Sequence, residues 1–250
     1  MPIDRGKLER WVKSWAGCDG GNLDAPIWFC GIEWGAGDES YYKNDLPKQM
    51  EHGSVPLAGK YDWKGTISGT TGGESSFGRG VAKLYSAIRT PEIKDQSKAI
   101  EGYTGGEILK LNLYPIKFRN TDPALWQRCG MPELTGFSDK GLFREWCKHF
   151  RFAFFNTLVA EHKPKVVVGV GASYLGDYIA AFGGGLLPNS KLEAIHLRES
   201  DDAGRERTMY TIEIGHSLLA VVPFFSSQRG LNSQALIEKA GGEIRQRLPT

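Results

Sequence analysis

Apolar residues along this chain recur in two rhythms. Over residues 4–16, Leu8, Trp11, Val12 and Trp15 return at three- and four-residue steps, the spacing of one helix face, with Asp4 placed to cap the start and Gly17 to stop the end. The same rhythm runs through Phe77–Ile88 by way of Val81, Leu84, Tyr85 and Ile88, with Ser75 and Ser76 before it as caps. It is strongest over Gly141–His162, through Phe143, Trp146, Cys147, Phe150, Phe154 and Leu158, and Lys163-Pro164 ends it. Ala172–Phe182 and a stretch from about Asn232 to Arg247 predict two more helices. The second rhythm is the short unbroken apolar run bounded by Gly or Pro, expected of a strand buried on both faces. Ile27–Cys30, Ile108–Leu113, Lys165–Val170 and Ser217–Phe225 are of this kind, while Leu192–Leu197 and Thr208–Ile214 flank the charged loop RESDDAGRER as a hairpin. From Asp38 to Ser76 neither rhythm persists. That length of irregular chain inside a compact domain points to function, and Tyr41, Tyr42, Tyr61 and Trp63 within it suit a binding lid. The βαβαβ order with a late hairpin predicts the α/β class: a three-layer α/β/α arrangement around a mostly parallel central sheet, forming one domain over residues 1–250.

Composition narrows the partners. A chain of 250 residues that is 40% hydrophobic can bury a sizeable core without staples. Its net charge of +2 gives no global basic field, so nucleic-acid binding requires a local patch. No apolar run reaches the roughly 18 residues of a membrane span, and the opening MPIDRGKLERW has no signal-peptide core. The four cysteines form no CxxC pair and read as reduced thiols in a cytoplasmic, monomeric protein.

The chemistry gathers where strands end. Ile27–Cys30 breaks into the turn Gly31–Gly37, which carries one carboxylate, Glu33, among three glycines that admit a ligand close to the backbone. Asn112–Arg119, Gly169–Ala172 and Pro223–Gly230 follow the other predicted parallel strands. In order and spacing these segments resemble the uracil-DNA glycosylase superfamily. That family has a first turn of the type GQDPY or GINPG, an Asn ending an LLN-like strand, a Lys/Arg-Pro before a VVxxxG strand, and a late loop of the type HPSPLSxxRG. Here they read GIEWG (31–35), LKLN (109–112), KPKVVVGVG (163–171) and VVPFFSSQRG (221–230). The likeness covers most of residues 26–245, apart from the 38–74 loop and the 192–214 hairpin.

The resemblance implies a monofunctional glycosylase that flips a pyrimidine out of double-stranded DNA and cuts its N-glycosidic bond with water, without cofactor or metal. Glu33 takes the position of the group that orients or activates the water, a role a carboxylate fills by accepting a proton and offsetting oxocarbenium charge. Asn112 matches the Asn that reads the base through its amide, beside Gly31, Ile32 and Gly35 of the first turn. Phe77 and Tyr61 are both candidates for stacking on the base. Ser75, Ser76, Ser226, Ser227, Gln228 and Arg229 match the phosphate-contacting loops, Lys117 and Arg119 add local positive charge, and Phe225 takes the place of the residue wedged into the emptied stack. There are departures. Val221 stands where the family's loop His would be, which leaves the leaving group without an assigned stabiliser. Gly35 replaces a Tyr that walls off the pyrimidine C5 in the uracil-selective branch. Cys129 and Cys147 resemble the late cysteines of an iron–sulfur branch, but Cys18 and Cys30 do not supply its first pair.

Gly35 and the aromatic 38–74 loop together suggest a bulky 5-substituted pyrimidine. One branch resembling the chain removes glucosylated hydroxymethylcytosine from phage DNA in antiphage defence. Repair of uracil or damaged bases is the alternative, and a non-catalytic sensor of modified DNA is another. Gly169, Gly171 and Gly176 also invite a dinucleotide reading, but the third glycine of GxGxxG is displaced and no acidic ribose ligand follows.

Overall fold

The computed structural model describes residues 2–33, 35, 37–58, 76–89, 108–119, 122–184, 191–198, 206–225 and 230–249. The four long apolar runs form adjacent strands of one sheet. In chain order the strands are β1 (Gly20–Gly21), β2 (Ile27–Glu33), β3 (Ile108–Tyr114), β4 (Val166–Val170), β5 (Glu193–Leu197), β6 (Arg207–Ile214) and β7 (Ser217–Val222). Their spatial order is β1-β3-β2-β4-β7-β6-β5. β3, β2, β4 and β7 run parallel, and β1, β6 and β5 join antiparallel at the two sides. The expected hairpin is β5–β6. The sheet is therefore mixed, with a parallel centre.

Alternation along the central strands explains why helices cover both faces. Trp28 and Cys30 of β2, Leu109, Leu111 and Leu113 of β3 and Val167 of β4 belong to one core, packed by α1 (Arg5–Val12) and the helices between residues 124 and 182. Ile27, Phe29, Ile108, Val166, Val168 and Val170 belong to the other, covered by α3 (Ser76–Arg89) and α9 (Gln234–Gln246). From β2 the chain crosses first to β3 on one side and then to β4 on the other. The carboxyl end of β2 is thus a topological switch point, where open α/β sheets leave a crevice.

Capping follows the expected pattern. Asp4 accepts from Lys7 N at 3.0 Å, and Asp139 accepts from Leu142 N at 2.9 Å. Three differences matter. The stretch expected to be irregular from Asp38 contains a π-helical turn, Tyr41–Asp45, and then α2 (Leu46–His52), which bury Tyr41, Leu46 and Met50. β7 stops at Val222 rather than Phe225, because Pro223 has no N–H to give the ladder. The long helix expected from Gly141 is α6 (Lys140–Cys147), a π turn (Lys148–Phe152) and α7 (Ala153–His162) in succession. The π turn adds a residue to the helical repeat and so shifts the buried face, placing Arg151 and Phe152 inside. The remaining helices are α4 (Ala124–Arg128), α5 (Met131–Thr135) and α8 (Leu175–Phe182). No described helix is long and apolar enough to cross a membrane.

Candidate active site at the carboxyl edge of the sheet

Parallel pairing sets Gly31 of β2 beside Asn112 of β3, and Glu33 beside Tyr114. Gly31 and Asn112 face the side covered by α3. A Cβ built on Gly31 would lie 2.4 Å from Asn112 Oδ1 and 3.4 Å from the Phe77 ring, so only glycine lets the amide lie across this strand. Asn112 is buried, and its Nδ2 donates to Gly17 O at 2.7 Å. Gly17 reaches that position through a left-handed backbone, φ +70°, pressed against the Pro115 carbonyl. The amide is therefore oriented by the fold, with one Nδ2 proton on Gly17 O and Oδ1 turned toward Gly31 and Phe77. Three of the residues expected to bind a base, Gly31, Asn112 and Phe77, meet here. Ile32 does not join them through its side chain, which is buried in the opposite core. Among the described residues, nothing lies within 4 Å of a Cβ built on Gly35.

Glu33 turns toward the other face and is held from both sides. Lys140 Nζ donates to its Oε2 at 2.9 Å; Arg144 donates to Oε1 through Nε at 3.2 Å and Nη2 at 2.5 Å. The Glu33 side chain is only 5% exposed, and that of Lys140 only 3%. Lys140 and Arg144 are four residues apart on α6, so both project from one helix face into the crevice. Aromatic faces complete the clamp: Phe118 lies 4.2 Å from Lys140 Nζ, and Tyr114 and Tyr174 lie 4.7 and 5.5 Å from the Arg144 guanidinium. Burial pulls the Lys140 ammonium below its usual value against the opposing attraction of Glu33. The chain of contacts continues through Tyr114, whose hydroxyl donates to Asp177 Oδ2 at 2.8 Å, to Lys148 on Asp177 Oδ1 at 2.9 Å. Burial and the Asp177 charge push the Tyr114 phenol up, so it stays protonated as a donor. Such an arrangement holds a carboxylate rigid at the switch point, with its outer lone pairs left to orient a water or face a developing cation.

Lys140, Arg144, Tyr114 and Asp177 were not singled out by the sequence. The four-residue spacing of Lys140 and Arg144 was the available signal, but it does not say which carboxylate they meet. The expected basic patch is divided. Lys117 is half-buried with Nζ 4.9 Å from the Tyr41 ring, and its hydration loss lowers its pKa against the pull of Asp19, Asp45 and Asp38. Arg119 is exposed and joins Lys43 and Arg128 in lining an open groove of about 700 Å³ that also contains Gly37 and Tyr42, next to the Gly31–Gly37 turn. Ser76 is the first residue of α3. Tyr61, Ser75, Ser226, Ser227, Gln228 and Arg229 lie outside the described residues.

Phe225 requires a correction. It is 7% exposed and belongs to the core beneath α3. Its ring packs edge-on to Phe77 at 5.8 Å and fills the space over Gly80, where a Cβ would lie 2.2 Å away. A wedge must reach the stack it enters, whereas this ring supports Phe77 from below. Phe225→Ala is therefore expected to cost about 3–5 kcal/mol, read as a lowered urea midpoint. A loss of DNA processing confined to duplex with unchanged stability would restore the wedge. Two glycines at the end of β4 have packing roles: Cβ atoms at Gly169 and Gly171 would strike the rings of Tyr178 and Phe224 at 2.8 Å. The described cysteines are free thiols, with Cys147 buried in the core and Cys129 on the groove. No protein-family model matches the chain, and no curated protein matches it either.

Proposed function

We propose that the chain is a monofunctional DNA glycosylase with the three-layer fold of the uracil-DNA glycosylase superfamily. It takes a 5-substituted pyrimidine out of the duplex and hydrolyses its N-glycosidic bond. The observation that carries this reading is the meeting of Gly31, Asn112 and Phe77 on one side of the switch point, with Glu33 held rigidly at the end of the same strand. An amide edge, an aromatic ring and a bare backbone are what a flipped base needs for reading, stacking and close approach. A fixed anion beside them suits a transition state in which positive charge grows on the sugar. The groove that Gly37 lines together with Lys43, Arg119 and Arg128 offers cationic groups for the phosphate backbone, Lys43 and Arg128 being paired with Glu39 and Asp122.

The substrate we propose is glucosylated 5-hydroxymethylcytosine of phage DNA, which gives the enzyme a role in antiphage defence. The open space over Gly35 is where a 5-substituent would go. Incubation with duplexes carrying uracil, 5-hydroxymethylcytosine or its glucosylated form, followed by alkaline cleavage at abasic sites, tests the reaction and the substrate together. Rapid cleavage at uracil with glucosylated cytosine untouched would instead establish a repair enzyme. Gly35→Tyr puts a ring into open space, so the melting temperature should stay within about 2 °C of wild type while excision of the glucosylated base falls at least roughly 100-fold. Undiminished excision by that variant would show that position 35 does not face C5.

A further inference from the structure

A carboxylate taken out of water needs a charge partner and hydrogen bonds for its remaining lone pairs. Asp19 has the first without the second. It lies between Gly17 and β1, its side chain 0% exposed, with Lys110 Nζ 2.5 Å from Oδ2. Its Oδ1 has no hydrogen-bond partner among the described residues. Buried acceptors are rarely left in that state, and a group reserved for a ligand is one reason for it.

Its surroundings agree. Lys110 and Asn112 are two residues apart on β3 and so share one face of the sheet. Lys110 Nζ stands 5.1 Å from the centre of the Phe77 ring, the ring that also closes over Gly31. Gly17, two residues before Asp19, accepts the Asn112 Nδ2 proton. Asp19, Lys110, Asn112 and Phe77 therefore border one corner of the site. Asn112 gives one of its two Nδ2 protons to Gly17 O and turns Oδ1 toward Gly31 and Phe77, while the Asp19 carboxylate, with Lys110 on Oδ2, keeps Oδ1 as an acceptor. Two acceptors at one corner match a ligand edge rich in N–H. A 4-aminopyrimidine presents two such protons on its exocyclic nitrogen, whereas a 4-oxopyrimidine presents an acceptor there.

We infer that Asp19 is a specificity-determining residue that acts with Asn112 to receive the exocyclic amino group of a flipped cytosine-type base and to reject its 4-oxo counterpart. The inference rests on the glycosylase reading and deepens it. It is tested with matched substrates that differ only at position 4: 5-hydroxymethylcytosine against 5-hydroxymethyluracil, and the two glucosylated forms of the same pair. Single-turnover excision by the wild-type chain should favour the amino member by roughly 10- to 100-fold, the discrimination expected from misdirecting one hydrogen bond to a charged group. Asp19→Asn, which can turn an NH2 toward the ligand, should cut that ratio at least tenfold, by slowing the amino base and sparing or speeding the oxo base. Asp19→Ser is run beside it, so that a folding failure of one variant leaves the other. Excision of neither pair sinks the reading as a glycosylase of 5-substituted pyrimidines, and the inference with it. Excision of both members at equal rates, or a preference that both variants retain, overturns the role of Asp19 and leaves the glycosylase standing.

Discussion

Arg151→Met is expected to yield no cooperatively folded protein at 37 °C. Arg151 is 0% exposed, and its guanidinium is spent on backbone carbonyls. Nε donates to Leu113 O at 2.9 Å, Nη1 to Val12 O at 3.0 Å and Ser14 O at 3.2 Å, and Nη2 to Ala16 O at 2.7 Å and Asn112 O at 3.0 Å. The Cys18 sulfur is 3.3 Å from Nη2, and the Phe155 ring lies 4.8 Å from the guanidinium carbon. One planar cation thus ties the irregular 12–18 segment to the end of β3. Methionine would fill much of the volume and abandon five carbonyls. A buried group left unpaired costs about 1–3 kcal/mol, and total stability is only about 5–15 kcal/mol, so even with partial relaxation the loss is of the order of the whole. Arg151→Lys should rescue little, because three protons from a single nitrogen cannot span carbonyls arranged around a fork. Circular dichroism on heating and in urea gives the answer. A cooperative melt within a few degrees of wild type would show that the 12–18 segment holds without its cation. A weakened but folded variant would still lose its site, since the same segment carries the Gly17 carbonyl that orients Asn112 and leads into Asp19.

Physical reasons separate what could be read along the chain from what could not. The parallel core was legible because strands buried on both faces are written as unbroken apolar runs, and Ile27–Cys30 and Lys165–Val170 are such runs. Once those strands were placed, Glu33 and Asn112 had to fall near the carboxyl edge, and register sets their strands side by side. The direction in which each side chain turns was not legible. Gly31 and Glu33 are two apart on one strand, yet Asn112 crosses the first toward α3 while the second turns to α6, because the strand ends there and alternation lapses. The partners of Glu33 lie 107 and 111 positions along the chain, beyond any local pattern. Asp19 falls between the first predicted helix and the first predicted strand, and it meets Lys110 beside an edge pairing of two glycines that has no sequence signature. The π turn at Lys148–Phe152 inherits the spacing of an ordinary helix and reveals itself only by the arginine it turns inward.

Glu33→Gln is expected to reduce base excision by about three orders of magnitude, within the range for removing a group that manages protons or charge in the transition state. It should also destabilise the fold, and this complicates the interpretation. Glutamine keeps the shape but leaves Lys140 and Arg144 crowded together with no anion between them, Lys140 being 3% exposed. Breaking a buried pair from one side costs about 3–5 kcal/mol, which for a chain of this size lowers the melting temperature by roughly 10 °C. Lost activity alone would therefore not distinguish a chemical role from a structural one. The double variant Glu33→Gln with Lys140→Met does. Met removes the stranded ammonium and restores an apolar neighbour for Phe118, so much of the lost stability should return. If Glu33 works on the sugar and its water, excision should stay as low as in the single variant, although the protein is again sound. Lys140→Met alone should leave Arg144 donating through Nε and Nη2 to Glu33 Oε1, retain measurable excision and free Oε2 for water. Recovery of excision in the double variant, in step with its melting temperature, would reduce Glu33 to a structural anion and move the search for the water-activating group elsewhere along the carboxyl edge.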